Sequence, residues 1–280
     1  MTPDGLLLVA KPTGITSHDA VDAVRRALGV KKVGHAGTLD PMASGLLVMG
    51  VGRATRLLRF LGGLDKEYEG TGKLGVETDT LDADGEVVRT AEVEVTEAEL
   101  AAAMAGFVGE IQQVPPAYSA VSVAGERSYR AARRGEAVEA TPRTVRVDAF
   151  DLERFEPPDF DVRVVCSSGT YVRSLVADVG TRLGCGAHLT RLVRTRIGRY
   201  RLSEAVAPEA ASDPLPIERA VAHLPRIEIE AVEAVAARHG RPLGPAGIEG
   251  PYAIFDDRGS LVGVYRDDGA KARPEVVIPA

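Results

Sequence analysis

The stretch "GHAGTLDPMASG", residues 34–45, places one carboxylate, Asp40, between Leu39 and Pro41 in a loop that is otherwise Ala, Gly, Thr, Leu, Met and Ser. Surface loops are normally richer in polar groups, so this composition predicts a partly desolvated acid. Pro41 fixes its own φ and biases Asp40 toward extended backbone, and the flanking glycines let the chain pass close to other atoms. Read alone, the acid also fits a turn or helix cap. Immediately downstream, "LLVMGVG" is a buried strand, so the loop delivers Asp40 to the start of a core element.

Outward from the loop, "GLLLVAKP" is a short apolar strand ended by Pro12. "TSHDAVDAVRRALG" is a helix with Thr16 or Ser17 as cap, early acids, late arginines and Gly29 at its end. After the loop, "RATRLLRFLGGL" predicts a helix stopped by paired glycines, and "KEYEGTGKLG" alternates as a strand. The run "TDTLDADGE" resembles a calcium loop at Asp82, Asp84 and Gly85. Position one would be Thr80 and position twelve Ala91, where a bidentate Glu is required, so the run is read as an acidic hairpin turning at Asp84-Gly85. "VTEAELAAAMAGF" opens with a capping box from Thr96 to Glu99. Residues 114–143 form an insertion with a short basic helix near 128–134, where Arg127, Arg130, Arg133 and Arg134 recur at helical spacing. "RVDAFDLERF" and "FDVRVVCSSG" are paired strands, "TYVRSLVADVGTRLGCG" is a helix with Tyr171 and Arg173 in its first turn, and "HLTRLVRTRIGRYRL" is a strand with a wet, arginine-bearing face. A boundary near residue 223 separates domain 1–222 from a small β-rich module, 223–280.

The 280 residues carry a net charge of −6, which conceals sorted blocks. Residues 1–66 sum to +4, 113–146 to +3 and 163–201 to +7, whereas 67–112 sum to −10, 147–162 to −5 and 202–280 to −5. Three basic blocks converging on one face would track phosphates even on an acidic protein. The two cysteines, Cys166 and Cys185, lie outside any metal-ligand spacing and are read as buried thiols. No apolar run approaches membrane-spanning length and the N-terminus lacks a basic region, which predicts a cytoplasmic protein.

In order, "KPTGITSHDAV", "GHAGTLDPMASGLL", "KEYEGTGKLG", "TDTLDADG", "VPPAYSAV", "CSSGTYVRSL" and "LGCGAHLTRLVRT" resemble the TruB family of tRNA pseudouridine synthases over residues 5 to about 200. One departure is Ala10, where the family often has Asp. The resemblance implies an α+β pseudouridine-synthase fold: a central mixed, largely antiparallel sheet flanked by helices and loops, an RNA-binding insertion and a C-terminal PUA-like module. It implies isomerisation of the T-loop uridine of tRNA, position 55, in which the N1 glycosidic bond breaks, uracil rotates and C5 bonds to the same sugar carbon. It implies no cofactor and no metal, the tRNA T-arm as partner, no membrane or protein partner, and a monomer.

Such chemistry requires a carboxylate in a dry pocket, a cation to hold it ionised and an aromatic surface for an extruded base. The resemblance assigns these roles to Asp40, Arg173 and Tyr68. It assigns His35 to insertion into the T-loop, Tyr171 and Leu192 to the substrate pocket, and Lys11 to support of the active-site loops. Glycosidases use a second acid, and the loop of residues 34–45 holds none, which favours transfer over hydrolysis. Attack by Asp40 on the sugar, addition to the base and deprotonation of the sugar all remain open at this level. So do a non-catalytic tRNA-binding protein and a synthase acting on another RNA.

Overall fold

A computed structural model describes residues 4–116, 122–123, 126–127 and 141–279. The basic helix near 128–134, with Arg130, Arg133 and Arg134, lies outside the described residues, and Arg127 ends a short strand. No helix among the described residues is long and apolar enough to cross a membrane.

The chain opens with strand β1 (Gly5–Lys11) and helix α1 (Ser17–Leu28). Thr16 and Asp19 exchange capping-box hydrogen bonds, and Gly29 closes α1 in the left-handed conformation. Strands β2 (Val33–Ala36) and β3 (Ser44–Val51) bracket the Asp40 loop. The helix expected over "RATRLLRFLGGL" is instead a 3-10 segment, Gly52–Leu57, running into one α-turn, α2 (Leu58–Leu61). The segment follows β3 directly with no side-chain cap, and Gly62 ends it, so its length is too short for a regular helix to be favoured.

Strand β4 (Lys66–Leu74) leads into the hairpin β5 (Val76–Thr78) and β6 (Val87–Thr90). Helix α3 (Glu97–Ala105), with its capping box at Thr96 and Glu99, precedes β7 (Gly109–Gln113). Beyond the short pair β8 (Ser122–Val123) and β9 (Glu126–Arg127), strands β10 (Arg143–Glu156) and β11 (Asp159–Cys166) form the expected antiparallel pair. Helix α4 (Val172–Leu183) packs on β12 (Ala187–Ile197), which continues to β13 (Tyr200–Arg201).

The large sheet has the order β1-β3-β12-β4-β11-β10-β7, with β2 added to β3 and β13 to β12. Its pairings are antiparallel except β3 with β12, where Ser44 faces Val193 and Gly45 faces Arg194. Strand β3 pairs with β1 along one edge, so β12 and β2 must share the other. The Asp40 loop leaves and rejoins the sheet where β3 changes partner. Gly45 allows that junction: it has φ +108°, and a Cβ there would lie 2.4 Å from the Arg194 carbonyl oxygen.

The C-terminal residues fold as β14 (Arg226–Glu228), α5 (Ala231–Arg238), β15 (Pro251–Phe255), β16 (Leu261–Asp268) and β17 (Lys271–Val277), a four-stranded sheet with one helix. One apolar cluster joins Leu6, Leu46, Leu57 and Tyr200 to Phe255, Val264 and Ile278. The two parts therefore share a core across residue 223.

Candidate active site

A cavity of about 290 Å³ opens beside the Asp40 loop. Asp40, Tyr68, Tyr171, Arg173 and Leu192 all line it, together with Lys66, Arg143 and Arg194. These side chains come from five parts of the chain: the loop before β3, strand β4, the start of β10, the start of α4 and strand β12.

Three internal anchors hold the loop. Arg194, 1% exposed, donates from Nη2 to the Gly37 carbonyl at 2.9 Å, from Nη1 to the Thr38 carbonyl at 3.4 Å and from Nε to the Leu46 carbonyl at 2.8 Å. The Ser17 hydroxyl donates to the Leu39 carbonyl and accepts from the Leu39 amide. Lys11 Nζ donates to the Pro12 and Ile15 carbonyls at 2.9 and 2.7 Å and reaches the Pro41 carbonyl at 3.5 Å. The Gly14 amide also bonds the Pro41 carbonyl. Such a loop is preorganised by bonds that do not consume the Asp40 carboxylate.

That carboxylate meets Arg173, whose Nη2 is 3.0 Å from Asp40 Oδ2. The guanidinium is 4% exposed, and its Nη1 bonds Asp82 Oδ2 at 3.0 Å and the Thr80 carbonyl at 2.8 Å. Asp82 is locked in turn by the Thr80 hydroxyl at 2.6 Å and the Asp84 amide at 3.2 Å. The acidic hairpin thus supplies a second carboxylate to the far side of the arginine, a role its turn-like sequence did not suggest. Burial pushes the Asp40 carboxyl above its ordinary range; Arg173 pulls it back, Asp82 pushes up and Lys11 pulls down. Burial dominates because one guanidinium is shared between two carboxylates.

Tyr68, on β4, is 7% exposed and lines the cavity, and burial raises its hydroxyl pKa. Leu192 lies next along the floor, on β12 opposite Gly70. Tyr171 precedes α4, and the buried Gln113 amide fixes it by accepting from the Tyr171 amide at 2.7 Å and donating to the Tyr171 carbonyl at 3.0 Å. Lys11 and Lys66 are both buried, and desolvation lowers each to about 8.

His35 lies on β2 opposite Met49, and neither it nor Lys11 is among the cavity-lining residues; burial and Arg194 lower the His35 pKa, favouring the neutral ring. One expectation changes. The arginines of β12 do not form one wet face, because Arg194 is buried and Arg196 bonds Glu67 at 2.9 Å. Bulges between Leu189 and Arg191 and between Arg194 and Arg196 interrupt the strand's alternation. Sequence reasoning missed Arg194, Asp82, Ser17 and Gln113. A Gln or Ser bonding backbone carries no spacing signal, whereas Asp82 stood in the acidic run that attracted the calcium comparison.

The cavity thus joins a half-buried carboxylate, a buried arginine and a tyrosine, and the fold that carries it is shared with solved structures. The chain matches a structure titled "Crystal Structure of a Cbf5-Nop10-Gar1 Complex" with a TM-score of 0.77 and 29% identity, over 98% of this chain and 85% of that one. It matches another titled "Structure of H/ACA RNP bound to a substrate RNA containing 2'-deoxyuridine" with a TM-score of 0.74 and 26% identity, over 98% and 84%. Residues 25–172 match the model of the TruB family pseudouridylate synthase N-terminal domain. Residues 173–214 match that of the tRNA pseudouridylate synthase B C-terminal domain, and 224–279 that of the tRNA pseudouridine synthase II C-terminus. Proteins named tRNA pseudouridine synthase B are 48% identical in Leifsonia xyli subsp. xyli, over 100% of this chain and 98% of that protein, and 46% identical in Mycobacterium sp. (strain KMS), over 98% and 96%. The chain belongs to the TruB family of pseudouridylate synthases.

Proposed function

We propose that Asp40 carries the isomerisation of uridine to pseudouridine that this chain performs on tRNA, and that its target is the T-loop uridine, position 55. One observation carries the reading: the Asp40 carboxylate, 3.0 Å from Arg173, opens into a cavity walled by Tyr68, Tyr171 and Leu192. The extruded base stacks on Tyr68, a contact worth about 1–3 kcal/mol. Asp40 acts as nucleophile or base while N1–C1′ breaks, and the apolar wall keeps water from the sugar so that C5, not water, takes C1′. The C5 proton is released to solvent and N1 is reprotonated.

Arg173 orients Asp40 and offsets part of its desolvation. Lys11 holds the loop at Pro41. The residues from 223 onward serve as a PUA-like RNA-binding module, and the chain works as a monomer in the cytoplasm beside its substrate. Mapping pseudouridine on an unmodified tRNA transcript treated with the enzyme tests the target. Modification confined to position 55 supports the reading, and modification elsewhere with position 55 untouched contradicts it.

A further inference from the structure

Among the described residues, four cations line the cavity: Lys66, Arg143, Arg173 and Arg194. Arg173 is committed to Asp40, Asp82 and Thr80, Arg194 to three carbonyls, and Lys66 to the Gly62 and Leu64 carbonyls at 3.0 and 2.7 Å. Each spends its charge on protein groups. Arg143, the first residue of β10, differs. Its guanidinium lies over the Tyr171 ring, 4.8 Å from the centroid, and Nη2 donates to the Gly169 carbonyl. Its Nε is buried without a hydrogen-bond partner among the described residues.

A guanidinium held over a ring gains cation–π attraction, and its edge of N–H donors matches a phosphate bidentately. Here the stack and the Gly169 bond fix that edge at a wall of the cavity. Gly169 makes the turn possible at φ +87°, and a Cβ there would lie 3.6 Å from the guanidinium carbon. A nucleotide drawn into the cavity brings both of its phosphates with it. Nη1 makes no hydrogen bond among the described residues, and an anionic oxygen is the acceptor the substrate supplies to it.

We propose that Arg143 binds a backbone phosphate flanking the uridine seated in the cavity, and so sets the depth at which the sugar meets Asp40. The proposal rests on the reading of this cavity as the uridine site. Phosphate contacts of this kind fix register and leave base identity to the stacking wall.

The test uses the full-length enzyme and a T-arm stem–loop RNA, either unmodified or with one flanking phosphate replaced by a neutral methylphosphonate. Wild type is expected to lose about tenfold in affinity at one of the two phosphates. Arg143→Ala is expected to lose a similar factor on unmodified RNA and nothing further at that phosphate, with a rise in KM that exceeds the fall in kcat. Its dependence of log Kd on log salt should fall by about 0.7. Arg143→Lys, which restores charge without the fork, should recover the salt slope and only part of the affinity.

Losses that add fully at both phosphates overturn the proposal, as does a wild type indifferent to either methylphosphonate. The wild-type measurement decides even if Arg143→Ala fails to fold. Pseudouridine formation by Asp40→Asn, run alongside, would instead overturn the reading of the cavity and is separable from both.

Discussion

Asp40 carries two opposing influences, and their balance sets its pH behaviour. Burial raises its pKa and the shared Arg173 only partly compensates. The carboxylate is the working form, so activity is expected to fall as pH drops through a value above the ordinary 3.8, read from the acid limb of single-turnover rate against pH. A limb at or below that value would contradict the balance. The same shift has a stability consequence. A raised folded-state pKa favours the fold below the unfolded-state value and loses that contribution as pH rises through the folded one. Asp40→Asn is therefore expected to melt no lower than wild type at pH 7. Asp82 behaves oppositely under truncation, since Asp82→Ala strips a partner from a buried guanidinium; a loss of about 3 kcal/mol in denaturant unfolding is expected. Tyr68→Leu keeps an apolar wall but removes the ring, so turnover should fall more than RNA affinity. A fall in affinity alone would contradict stacking as the role of Tyr68.

Elements place these residues through backbone contacts that differ in how visibly the sequence encodes them. Helix α1 was legible because its caps and charges are local: Thr16, Asp19 and Gly29 each act within one turn. The β5–β6 hairpin was legible as a pair, but residues 79–86 connect its strands instead of a tight turn at Asp84-Gly85. Arg194 was not legible, because its partners are carbonyls of Gly37, Thr38 and Leu46, some 150 residues away in sequence, and two bulges hide its inward register. The "RATRLLRFLGGL" segment misled because helical spacing of Leu57 and Leu61 is satisfied equally by a 3-10 run ending in one α-turn. Asp40, Tyr68, Arg173, Tyr171 and Leu192 were named through ordered motifs, and the fold brings all five to one cavity. At this scale Gly45 is decisive. Gly45→Ala places a methyl 2.4 Å from the Arg194 carbonyl oxygen at a positive φ. A loss of about 3 kcal/mol or more is expected, and an unfolding midpoint equal to wild type would refute the close β3–β12 junction.

Across the whole molecule, the division near residue 223 does not coincide with a gap in packing. Phe255, Val264 and Ile278 bury themselves against Leu57, Leu61 and Tyr200, and Arg59 pairs with Glu275 at 2.8 Å. Truncation before residue 223 would expose that shared core, so the shortened chain is expected to lose thermal stability as well as tRNA affinity. A truncated chain with wild-type melting behaviour would show that the two parts are independent. A boundary read near residue 223 rests on the chain's local character, whereas the shared core depends on which faces meet after folding.

The central claim is that a single ionised carboxylate in the cavity performs the chemistry. Release of tritium from 5-tritiated uridine in a T-arm stem–loop, measured for Asp40→Asn at enzyme excess with RNA binding recorded in the same samples, tests it most directly. Binding within about threefold of wild type, a difference below 1 kcal/mol, with no tritium released is the expected result. Release at the wild-type rate would remove Asp40 from the reaction.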